Sequence, residues 1–271
     1  MSSRTLDSSG ITLSPSSDRS AESTAESTAE SAAERMEARR AVFLAGETID
    51  LCAPLREDVL ESGWWQWMND PEYTRCLVDQ GMYPNSPEGQ YEYLEQVRRD
   101  PTRLVMLLRP KGEVRAVGVT SLSGINRVHR TAHAAILRTN RNRKRRLDVL
   151  EVCALLLEHS FERLGMRSLV MFTAYPDLKG MQRRMELFGW RFDGIVRRMW
   201  SRGYHEVDAA VGTVLLEDYL RIKELRGGHF WPGEARMREL VAAQPKTGST
   251  EELAARIKAW QDEYYASLRY A

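Results

Sequence analysis

The sequence predicts an α/β protein: a central mixed, mostly antiparallel sheet with helices on both faces, plus a C-terminal helical extension. Three observations carry this. Segments with strand periodicity alternate with segments of helical periodicity, the pattern of a sheet covered on both sides. Three strand-like runs follow in quick order between two helices: Arg103 to Leu108, Val114 to Ser121 and Thr131 to Leu137. Beyond them lie a strongly apolar helix, Leu147 to Leu164, and an apolar strand, Ser168 to Ala174, both expected to be buried.

Taken in order, Thr48 to Ala53 alternates as a first strand, and Arg56 to Met68 makes an aromatic-rich helix closed by Pro71, which can neither donate nor continue a turn. Ser86-Pro87-Glu88 starts a second helix: a serine cap, proline at the first position and an early acid facing the dipole. It runs to about Arg99. Lys111-Gly112 turns between the first two of the three strands. Gly165 fits the cap of the long apolar helix. After the strand at Ser168 come a helix from Leu178 to Phe188, capped by Gly189, and strands near Phe192 to Met199 and Glu206 to Leu215. A helix to Arg226, a Gly/Pro break and an amphipathic helix from Thr250 to about Tyr270 complete the chain. On that last helix Leu253, Ile257, Trp260 and Tyr264 form one stripe, which packs on the domain or on a second subunit as a homodimer; the sequence leaves both open.

These segments divide the 271 residues into a Ser/Ala/Glu-rich tail (1–40), an α/β domain (41–218) and the helical extension (219–271). The tail has too little apolar surface to offset its ordering entropy and is expected to be disordered. It is acidic and lacks an apolar h-region, unlike a signal or transit peptide. No run of eighteen apolar residues is present, so no membrane span is expected. The three cysteines, Cys52, Cys76 and Cys153, are odd in number and far apart, the usage of free thiols in a cytoplasmic protein. The formal net charge of +1 hides an asymmetry: Arg138, Arg141, Arg143, Lys144, Arg145 and Arg146 are six cations with no acid among them.

Trp67-Met68-Asn69-Asp70-Pro71-Glu72, the run Val117 to Ile125, Glu186-Leu187-Phe188-Gly189-Trp190 and Gly203 to Asp208 occur in that order along the chain. Collinear with the predicted elements, they resemble the GNAT N-acetyltransferase superfamily, in the branch that acylates aminosugars and protein N-termini. The resemblance covers roughly Thr48 to Leu216. It implies a GNAT fold, an N-acyltransferase acting on an amine, and an acyl-CoA donor.

Two departures bear on that donor. A GNAT holds the coenzyme-A pyrophosphate on a glycine-rich loop that opens the long helix, where free backbone N–H groups and the dipole attract phosphate. Aligned on Leu150-Glu151, that loop falls on Lys144 to Val149, and its glycine positions hold Leu147 and Val149, with Asp148 adding a repelling charge. Independently, the family's general-acid tyrosine falls on Met185 and its coenzyme-contacting asparagine on Leu178, neither of which can donate a hydrogen bond to a leaving thiolate.

The family's strand glutamate, a frequent base, aligns with His133. An imidazole of unperturbed pKa about 6.5 is a competent base near neutrality; a merely hydrogen-bonded or exposed strand histidine carries about equal weight. His129, about 13 Å along the same strand, cannot share a metal with it, and no metal site is expected. The six cations stand where the family places the donor's phosphates, and guanidinium forks can replace glycine N–H groups as phosphate ligands. Their number exceeds what one pyrophosphate requires and suits an RNA backbone, which suggests an aminoacyl-tRNA donor; a solvated charged loop is the bland alternative. Trp64, Trp67, Asn69 and Asp70 fall where the family forms its acceptor pocket, although aromatic residues at helical spacing are more often core. The rival from another class is an inactive GNAT-like module binding RNA or a protein.

Overall fold

The computed structural model describes residues 41–74, 83–113, 115–139, 147–175, 181–202, 205–245 and 249–268. The N-terminal tail, Cys76, Leu178 and the cations Arg141, Arg143, Lys144, Arg145 and Arg146 lie outside these residues. Every described residue belongs to one compact unit, Ala41–Ala271.

The elements run β1 (Val42–Leu44), β2 (Ile49–Cys52), α1 (Asp58–Glu61), α2 (Trp64–Trp67), α3 (Pro71–Thr74), α4 (Pro87–Arg99), β3 (Leu104–Pro110), β4 (Gly118–Asn126), β5 (Thr131–Arg138) and α5 (Asp148–Glu158). There follow β6 (Ser168–Tyr175), α6 (Met181–Glu186), β7 (Arg191–Arg202), β8 (His205–Leu215), α7 (Leu216–Leu225), α8 (Glu234–Ala243) and α9 (Ser249–Ser267). One eight-stranded sheet has the order β1-β2-β3-β4-β5-β6-β8-β7. All its pairs are antiparallel except β5–β6.

The pleat decides which helices cover which face. Met106 and Leu108 of β3 join the larger core, with Leu150, Val152, Cys153, Leu157, Phe188 and Tyr219 from α5, α7 and the turn after α6. Val105 and Leu107, of the opposite parity, pack with Val59, Trp64, Met68 and Leu94 of α1, α2 and α4. Both faces are therefore covered, and α5 is the helix at the centre of the larger core. Cys153 lies there, its thiol pushed up to about 12 by burial, with Trp190 Nε1 donating to its sulfur at 3.4 Å.

Several elements differ from the sequence expectation. The aromatic helix is broken into α1 and α2 at Gly63, whose φ of +70° lies in the left-handed region. Pro71 opens the next turn rather than only ending the previous one, because a missing N–H costs nothing at a first helical position. The Lys111-Gly112 turn leads into a longer loop, and β4 starts at Gly118. β1, three half-exposed residues without usable alternation, and α8, which follows the Gly/Pro break, carry no clear sequence signal. The start of α4 matches expectation, with Ser86 Oγ accepting from Gly89 N–H at 3.2 Å. On α9 the stripe is not the packed face: Leu253, Trp260 and Tyr264 are exposed, while Ala254 is fully buried against Ile195 and Ala210. Lys258 on the same face pairs with Asp208 at 2.9 Å.

Candidate active site: a cleft between β5 and β6

The two central parallel strands are eight residues long but share only three ladder pairs, Thr131↔Ser168, Ala132↔Leu169 and His133↔Val170. Past these they part. β5 keeps its other neighbour, β4, as far as Arg138, and β6 keeps β8 as far as Tyr175, so each diverging stretch has a ladder strand on one side and, among the described residues, none on the other. This explains why β6, whose apolar sequence promises full burial, is mostly half-buried. The backbone facing the opening follows from alternation. Thr139 N–H donates to Val117 O at 2.8 Å, towards β4, and Thr120 Oγ1 donates to Ala135 O on that same side. Main-chain groups of the other parity, including Ile136 N–H, point into the cleft.

His133 occupies the last paired position, the throat of the cleft. Its side chain is exposed and stacks on Phe172 of β6, with ring centroids 5.5 Å apart and planes 25° from parallel. It shares parity with Leu137, which packs on the α1–α4 side, yet among the described residues no helix covers it or Ala135, which is also exposed. An open strip of sheet thus runs from the throat along β5.

At the mouth, β5 leads to α5. Arg138, the only described member of the basic cluster, is largely buried and binds Asp148 at 2.8 Å. Asp148 is therefore neutralised rather than left as a repelling charge, and Arg138 serves as a strut between strand and helix. Tyr73 OH donates to Thr139 O at 2.5 Å and ties α3 to the same end of β5, a contact that sequence spacing gives no hint of.

The aromatic helices contribute less than their sequence promises. Trp64 is 1% exposed and packs edge-on to Tyr93, 6.3 Å between centroids, so it is core and not acceptor pocket. Asn69 exchanges hydrogen bonds with the backbone of Asn85 at 2.8 and 2.7 Å, pinning the entry to α4. The Asp70 carbonyl accepts from the backbone N–H groups of Tyr73 and Thr74 at the start of α3. Trp67 is half-buried and, with Tyr73 and Thr139, lines a shallow depression of about 590 Å3 on the flank of the cleft mouth.

No model of a protein family matches the chain, and no curated protein sequence matches it. Solved structures do. The chain is similar to a spermidine N-acetyltransferase from Vibrio cholerae in complex with CoA and spermine, at 17% identity and TM-score 0.57, over 65% of this chain and 99% of that one. It is also similar to a microcin C7 self-immunity acetyltransferase in complex with acetyl-CoA and AMP, at 14% identity and TM-score 0.54, over 63% and 94%. The fold is that of the GNAT N-acetyltransferases.

Within the GNAT fold, the parallel pair β5–β6 and the helix α5 between them are the elements that define the cleft. Leu147 caps α5 without a side-chain hydrogen bond, in ordinary right-handed backbone geometry, and Val149 follows one residue into the helix. Met185 is 1% exposed and faces the core, away from any proton transfer. Further along α5, Glu151 accepts hydrogen bonds from Glu47 N–H, Thr48 N–H and Thr48 Oγ1. Burial raises its pKa and these donors partly offset the rise. This buried acid anchors the β1–β2 turn. Among the described residues no helix is long and apolar enough to cross a membrane.

Proposed function

We propose that the chain is a GNAT-fold N-acyltransferase that forms an amide on a small amine-bearing acceptor, taking the acyl group from a phosphate-rich carrier at the cleft mouth. The observation that carries this is the early end of the β5–β6 ladder with an imidazole at its throat. His133 takes the proton of the acceptor ammonium. The freed nitrogen attacks the acyl carbonyl carbon, and the C–N bond forms as the carbonyl oxygen gains negative charge. A cleft-facing N–H, that of Ile136, donates to this oxyanion; collapse breaks the bond to the carrier, whose sulfur or oxygen leaves with the proton that the newly bonded nitrogen sheds, as a thiol or hydroxyl.

The solved neighbours were captured with CoA, acetyl-CoA and spermine, which makes an acyl-CoA and a polyamine the first pair to try. A second donor, an aminoacyl-tRNA, is favoured by two residue-level observations: the cation surplus at 141–146, and the absence of a tyrosine acid at Met185. A ribose hydroxyl leaving from RNA has neighbouring hydroxyls to assist its protonation, so it demands less of the protein. The test is acyl transfer to spermidine measured with acetyl-CoA and, separately, with aminoacyl-tRNA. Turnover with either donor supports the enzyme, and loss of turnover on RNase treatment selects the second. If RNA is the carrier, neutralising the five cations lowers the salt slope of binding by roughly 0.7 for each phosphate they hold. RNA binding with no turnover for any donor points instead to an inactive module and ends this reading.

A further inference from the structure

We infer that the end of the sheet remote from the cleft holds a second site, which binds a small organic phosphate with an apolar or aromatic body. A cavity of about 650 Å3 lies there between the start of β3, the β4–β5 turn and the end of α5. The size suits a small molecule. Arg103, Arg127, Arg130, Arg163 and His159 line it, and no acid does among the described residues. Its floor is apolar, built from Leu104, Ile125 and the buried Met166.

The cations are held rather than simply scattered. Asn126 Oδ1 accepts from Val128 N–H and His129 N–H at 3.0 and 2.9 Å, which fixes the tip of the turn. Arg130 adopts φ of +57°, costly for a long side chain, and its Nε donates to Gly165 O at 2.6 Å. Arg103 is paired with Asp100 at 3.2 Å. Arg127 and Arg163 form no salt bridge among the described residues; Glu162, next to Arg163, is hydrogen-bonded by Lys223 and Tyr219, and the Arg163 charge acts on it more weakly. His159 and Arg163 lie on a five-residue π-turn continuing α5, an uncommon geometry that is frequent at functional sites. The His159 ring packs edge-on against Phe43 at 5.0 Å, while burial and the Arg163 charge lower its pKa. Like charges gathered around an apolar floor repel one another, and a multiply charged anion relieves that repulsion. The site lies about 20 Å along α5 from its N-terminus, so it is separate from the donor position and independent of the proposed function.

The test is calorimetric titration of the full chain with phenyl phosphate, inorganic phosphate and inorganic pyrophosphate. Saturable binding is expected, tighter for phenyl phosphate than for inorganic phosphate. It should weaken at least about tenfold in the Arg127→Ser/Arg163→Ser variant and be retained when Arg141, Arg143, Arg145 and Arg146 are changed to Ser. In parallel, the His159 ring signals should report an upward pKa shift on binding. Absence of saturable binding, or binding that survives the Arg127/Arg163 change, overturns the site. Equal affinity for phenyl and inorganic phosphate overturns the apolar part of the ligand. Co-sedimentation with phosphatidylglycerol vesicles that depends on Val128, with no binding of soluble phosphates, would replace it with a membrane contact.

Discussion

His133 and His159 show how differently two imidazoles are set by their surroundings. His133 stands exposed against one face of Phe172, so removing it costs little packing but takes away the base of the proposed reaction. His133→Ala is expected to lower kcat about 10²–10⁴-fold while the thermal midpoint barely moves. Steady-state rates and a melting curve on one preparation decide this, and unchanged kcat removes the histidine from the chemistry. His159 is half-buried, and burial followed by the Arg163 charge holds its folded pKa below the ordinary 6.5. The sign follows. As pH falls below 6.5 the unfolded chain takes up a proton that the folded chain resists, so folding stability drops through that window towards the folded pKa. In His159→Gln, urea midpoints measured from about pH 7 to about pH 5 should show a shallower fall than in the parent. A steeper fall would mean that the histidine is paired rather than desolvated.

At the scale of elements, the β1–β2 turn depends on α5. Glu151 gathers three donors from residues 47 and 48, and the backbone passes so close that a Cβ at Gly46 would run into the Ile49 carbonyl and the Glu151 carboxylate. Gly46→Ala is accordingly expected to cost about 1–3 kcal/mol in chemical denaturation, because the obstacles are backbone and a held carboxylate rather than a flexible side-chain end. A neutral result would show that the turn can move off the helix. The same coupling explains the aromatic helices: the break at Gly63 swings Trp64 inward and leaves Trp67 at the flank. Trp64→Ala should then cost about 3–5 kcal/mol, far more than Trp67→Ala under the same conditions. Equal costs would put both in the core.

Across the whole molecule, β7 is one of the sheet's two edges and α9 lies against it. Ala254 is fully buried against Ile195 and Ala210, and Gln261 Nε2 donates to Ile195 O at 3.3 Å. Asp208, at the β7–β8 bulge, resists ionisation through burial, but the Arg198 N–H and Lys258 outweigh this and hold its pKa low. Ending the chain at residue 245 strips this cover from an edge strand with Val196 and Met199 already exposed. Such a protein should melt at lower temperature and aggregate on heating, read by light scattering alongside the melt; unchanged melting would make α9 an appendage.

The sequence by itself determined the order of the elements from β2 to α7, apart from the break at Gly63, because periods and caps depend on residues close in the chain: the capped start of α4, the apolar face of α5, the glycine after it. It also located His133 correctly on a central strand. What it could not contain was distance between segments far apart. That β5 and β6 part after three pairs is decided by the neighbours each keeps, β4 and β8, and only this turns a strand histidine into one at the throat of a cleft. The pairing of Arg138 with Asp148 at 2.8 Å, which ties the end of β5 to the start of α5, is likewise a contact that spacing along the chain does not announce. The basic cavity at the other end needed the turn after β4, the start of β3 and the end of α5 to meet, and charges dispersed along the chain from Arg103 to Arg163 carry no pattern until folding gathers them.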